Sequence, residues 1–135
     1  MNPPLDFKRE RERETGSWQR ACEEPHLIER VAWDRWLVFF RDSEDAHLVR
    51  LHRDHGAYLG GCEIDKTGEE CPGFAYHDGA CAHLCAVRRA DFGNLLDVRG
   101  QPVRIFDMEA VAQSTADHAA EPEERAATDG GIRRV

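Results

Sequence analysis

At 135 residues, the chain is long enough for one domain with tails and too short for two full cores. It carries 26 Asp and Glu against 18 Lys and Arg, a net charge of −8, and only two of the bases are lysines, Lys8 and Lys66. No apolar run reaches 18 residues, which excludes a spanning helix. The opening MNPPLDFKRERERE lacks the apolar stretch of a secretory leader, so a cytoplasmic protein without membrane association is expected.

In chain order, residues 1–24 read as a disordered, charged N-terminal arm. Its KRERERE run would place Glu10 with Glu14 and Arg9 with Arg13 as like-charge i,i+4 pairs on a helix. Four β-rich segments follow: HLIERVAW (26–33), RWLVFFR (35–41), HLVRLHR (47–53) and AYLGGCEI (57–64). The turn DHG (54–56) joins the last two, and together they suggest an antiparallel meander of three or four strands. In 47–53, Leu48, Arg50 and His52 oppose Val49 and Leu51.

The segment KTGEECPG is loop, punctuated by Gly68, Pro72 and Gly73. A helix is predicted from Ala80–Cys81 to about Gly93–Asn94, with Leu84, Val87 and Phe92 on its apolar side. QPVRIFDM (101–108) reads as a closing strand or a packing arm. From residue 111 onward, an acidic stretch poor in large apolar side chains reads as a disordered tail. The expected fold is therefore α+β, a small domain over 25–110 with a β-hairpin or meander followed by a short helix. With a core this small, a structural metal would matter to its stability.

Chemistry concentrates in CPGFAYHDGACAHLC, where Cys71, His77, Cys81, His83 and Cys85 fall within fifteen positions. A nucleophilic thiol needs one cysteine beside a base and an orienting group, and clustering is no part of that requirement. No Cys-x-x-Cys redox motif occurs, and an odd count of five cysteines disfavours a full disulfide framework. A closed zinc site fits better. Cys81 and His83 form a short chelating pair at a helix start, where exposed N–H groups favour thiolate, and Cys71 precedes a Pro-Gly turn.

The stretch ECPGFAYHDGACAHLCAV resembles the second half of a SWIM-type zinc finger, in which Cys-x-Cys on a hairpin is followed by Cys-x-His opening a helix. The resemblance spans about residues 46–90. It implies that Cys71 is the second cysteine of the first pair and that Cys81 and His83 form the second pair. Pro72, Phe74, Gly79 and Leu84 match the family's flavour between and around them. Where the family has its first cysteine, this chain has Glu69. The fourth ligand is then Cys62 across a looped insertion, Glu69 through oxygen, or His77 or Cys85. Cys62 is preferred, because structural sites favour sulfur and the intervening loop adds little closure entropy. The expected set is one structural zinc on Cys62, Cys71, Cys81 and His83. Cys85 reads as a buried small side chain, and His47, His52, His55 and His118 as surface residues.

A structural ion implies no reaction and no small-molecule substrate, so the chain is not expected to be an enzyme. The resemblance implies either a DNA-binding or a protein-interaction role. Residues 71–104 carry Arg88, Arg89, Arg99 and Arg104 against three aspartates, a net of +1, whereas 41–70 and 105–135 each net −4. Those arginines are the candidate phosphate contacts. The lysine-poor, acid-rich composition resembles proteins of salt-accumulating (haloarchaeal) cells, in which carboxylates hold hydration and salt screens their mutual repulsion.

Overall fold

The structure, a computed structural model, describes residues 4–76 and 79–109. The elements in chain order are α1 (Phe7–Glu12), α2 (Gly16–Glu23), β1 (His26–Ala32), β2 (Arg35–Phe40), β3 (His47–Asp54), β4 (Ala57–Ile64), α3 (Pro72–Ala75) and α4 (Ala82–Phe92). The four strands form one antiparallel sheet in the order β1-β2-β3-β4, an α+β meander with short helices as expected.

The strands follow from alternation. Trp36, Val38 and Phe40 on β2 and Val49 and Leu51 on β3 are buried, and register places Trp36 opposite Val49 and Ile28 opposite Val38. β3 and β4 meet through His55 and Gly56, both at positive φ, the geometry of a two-residue turn that matches strand twist. The helix α4 packs on the inner face against β2 and β3, burying Leu84, Cys85, Ala86, Val87 and Ala90, and α2 packs against α4 in turn.

Residues 7–23 depart from the expected disordered arm. Asp6 accepts from the Arg9 N–H and Thr15 from the Trp18 N–H, so each short helix has a side-chain cap. Phe7 and Ala21 are buried in the core, and the Leu5 N–H donates to the Tyr58 carbonyl. The charge alternation hid this apolar face. Glu10, read as one of a repelling pair, is instead fully buried and bonded.

Segment 101–108 packs as an arm without forming a strand of the sheet. Val103 and Ile105 are buried, and the Arg53 N–H donates to the Phe106 carbonyl. The expected C-terminal tail, 111–135, lies outside the described residues.

Candidate metal centre

Direct partners across an antiparallel pair share a face. His47 pairs with Ile64 and Val49 pairs with Cys62, so His47 and Cys62 are diagonal neighbours on the inner face of the β3–β4 hairpin. Both are buried.

After β4 the chain doubles back. The Gly68 N–H donates to the Ile64 carbonyl, the Ile64 N–H to Glu69, and the Cys71 N–H to the Cys62 carbonyl at 3.0 Å. The eight residues between the two cysteines thus fold as a turn that returns Cys71 beside Cys62. Pro72 then opens α3 at a position where its missing N–H costs nothing, and the Cys71 carbonyl accepts from Phe74 and Ala75.

The third segment of the site arrives from Gly79. Its φ of +138° suits glycine, and a Cβ there would overlap Glu10 Oε2. Glu10 accepts from the Thr15 hydroxyl at 2.7 Å and from the Ala80 N–H at 3.2 Å. That carboxylate ties α1 to the residue just before Cys81, the N-cap of α4. His83 lies in the first turn of α4 and is buried.

One donor atom each from His47, Cys62, Cys71 and His83 lies within 4.8 Å of the other three. Cys62 Sγ stands 3.6 Å from His47 Nδ1, and the Sγ atoms of Cys71 and Cys81 each stand 3.9 Å from His83 Nδ1. Ligand bonds of about 2.0–2.3 Å place tetrahedral ligands about 3.4–3.8 Å apart, so these separations are close to those around a single ion. The two imidazoles stack, with centroids 3.8 Å apart and planes 10° from parallel.

The electrostatics agree with that spacing. The Cys71 thiol is held far below its usual range because Cys62 and Cys81 donate to its thiolate. Cys62 is raised by the same sharing with Cys71 and Cys81, and Cys81 is pushed up to about 12, chiefly by burial. Burial also lowers His83, leaving the neutral ring that a metal requires. The protons crowded among three sulfurs are those a divalent cation displaces. His83 Nδ1 faces the Cys71 and Cys81 sulfurs, and thiols are weak hydrogen-bond partners for it. A soft cation satisfies this donor set better than hydrogen bonding does. Four buried His and Cys residues can therefore hold one metal ion.

Of the expected ligands, Cys62, Cys71 and His83 come together, and Cys81 borders the same cluster. His47, read from sequence as a surface residue, is 7% exposed and belongs to the site. Its sequence signal was its place two residues before Val49 and four before Leu51, on the inward face. Glu69 is exposed and outside the cluster, and His77 lies outside the described residues. Cys85 is buried away from the cluster with Sγ 4.0 Å from the Ala80 carbonyl oxygen, and its thiol is raised by burial.

Three of the four candidate phosphate-contacting arginines are engaged within the fold. Arg89 donates to the Ala21 carbonyl at 3.1 Å, Arg99 pairs with Glu29 at 2.7 Å, and the Arg88 guanidinium lies over the Tyr58 and Phe92 rings. Arg104 is exposed. Among the described residues no helix is long and apolar enough to cross a membrane. No family model, no curated protein and no solved structure matches the chain.

Proposed function

We propose that this protein is a zinc-binding domain of SWIM-like construction in which the ion is structural, and that it serves as a nucleic-acid-binding module. The observation that carries the metal reading is four buried donor atoms within 4.8 Å of one another. Thiolate and imidazole donors suit zinc, and a closed, buried set of four suits a structural site rather than a catalytic one with an open position. Bound there, the ion would tie the β3–β4 hairpin, the residue before α3 and the start of α4 into one unit. Supporting the SWIM-like reading are Cys71 and the Cys81-x-His83 pair, with a hairpin before them and a helix after. Cys62 would stand in for the family's first cysteine.

A reducing, salt-rich cytoplasm is the setting that this composition and these free thiols favour. The competing role is a protein-interaction module, which the exposed Leu27 and Phe39, paired across β1 and β2, would favour. Elemental analysis of protein purified without chelator tests the metal reading, with one zinc per chain expected. Metal-free folded protein would overturn it.

A further inference from the structure

We infer that the groove between α1, α4 and Tyr58 of β4 is where single-stranded nucleic acid binds, an inference that rests on the nucleic-acid reading above. The groove has a volume of about 740 Å³, in the range of ligand-binding clefts, and lies apart from the cysteine cluster. Its lining carries Lys8, Arg11, Arg88 and Arg89, against Asp6 as the acid among its lining residues. In a chain of net charge −8, this is a local inversion of sign, and it holds one of the two lysines. None of the four cations forms an ion pair among the described residues.

The aromatic groups supply the second half of the argument. The Arg88 guanidinium carbon stands 5.4 Å from the Tyr58 ring centroid and 5.2 Å from that of Phe92. Its Nε is buried with no hydrogen-bond partner. Phe92, at the end of α4, is 71% exposed, a large ring left in water beside a cation. An exposed ring next to cations that form no ion pair among the described residues matches a polymer of alternating flat bases and phosphates. Unpaired bases offer a π-face for stacking, whereas a duplex hides those faces within its own stack. An acidic peptide would use the cations and gain less from the ring.

The test is fluorescence anisotropy of a labelled oligothymidylate with the zinc-loaded full chain, titrated at several salt concentrations, with polyglutamate as the comparison probe. Phe92→Ala should weaken binding roughly tenfold at every salt concentration, as loss of one stacked base does. Lys8→Ala with Arg11→Ala should lower the slope of log affinity against log salt by about 1.4, at ~0.7 per single-strand phosphate contact. Lys8, Arg11 and Phe92 are exposed, so zinc content and melting temperature should stay at wild-type values in these variants. If wild type binds and these variants bind equally well, the nucleic-acid reading stands and the groove assignment falls. Binding of polyglutamate but not oligothymidylate would make the groove a site for acidic peptides and overturn the inference. Binding of neither would overturn the inference, and if a labelled DNA duplex also failed to bind, the nucleic-acid reading would fall with it, leaving the metal reading to its own assay.

Discussion

The backbone N–H of Cys71 donates to the carbonyl oxygen of Cys62 at 3.0 Å, closing a turn that brings together two thiols nine positions apart. Both side chains are buried, and each contributes a sulfur to the four-donor cluster. Cys62→Ser and Cys71→Ser should therefore weaken zinc binding to similar extents, each by well over about tenfold, the scale of losing even a supporting contact to a metal ligand. Cys85→Ala should leave metal content unchanged. A competition titration against a chromogenic chelator measures all three. A damaging Glu69→Gln beside a silent Cys62→Ser would instead place an oxygen ligand in the site.

His47 and Cys81 compete for the remaining position in a four-coordinate site. With its Nδ1 3.6 Å from Cys62 Sγ, His47 should matter as much as His83, so His47→Ala should lower zinc affinity while His52→Ala does not. Full affinity in His47→Ala together with a loss in Cys81→Ser would give the set Cys62, Cys71, Cys81 and His83.

Gly79→Ala should destabilise the fold by about 1–3 kcal/mol, the cost of a side chain at a backbone conformation of this kind, with further loss from its overlap with Glu10. Because Glu10 holds the Ala80 N–H, the same variant should also release zinc more readily. Thermal melting with and without chelator reads both effects. Wild-type behaviour in both assays would refute this role for the Glu10 contact.

Asp97 should give the fold an acid-sensitive component. Burial pushes its carboxyl up, but backbone N–H groups of Gln101, Arg30 and Arg99 together pull it below the ordinary value. A depressed folded-state pKa contributes stability above the unfolded pKa, near 3.9, and that contribution is lost as pH falls through the folded value. Asp97→Asn should then melt below wild type at neutral pH, with the gap narrowing below about pH 4. A gap independent of pH would count against the charge as its source.

Salt should stabilise the fold. With 26 acids and two lysines among 18 bases, screening in molar potassium chloride relieves carboxylate repulsion. The melting temperature is expected to rise from dilute buffer to molar salt. A flat or falling trend would remove the salt-adapted reading.

The strands and α4 were legible in the sequence because their signals are local. Alternation around Val49 and Leu51 marks a half-buried strand, His55–Gly56 lies in the expected hairpin turn, and Gly93 ends α4. Cys71 and His83 were legible for the same reason, since short spacing and soft-donor chemistry operate along the chain. Cys62 followed from the chemistry zinc prefers, before any geometry placed it. His47 did not, although it shares the inward face of Val49. Its partnership with Cys62 exists only once β3 and β4 are in register and the 63–70 turn has closed. The N-terminal helices were hidden in the same way. Their charged run is unfavourable in isolation, and Glu10 becomes a stabilising residue when it meets the Ala80 N–H, 70 positions away. Sequence alone set the identity of the sulfur donors and of His83, and the period of the four strands and α4. Tertiary structure chose which distant groups meet, because register and chain reversal bring into contact residues that have no local interaction to record the pairing.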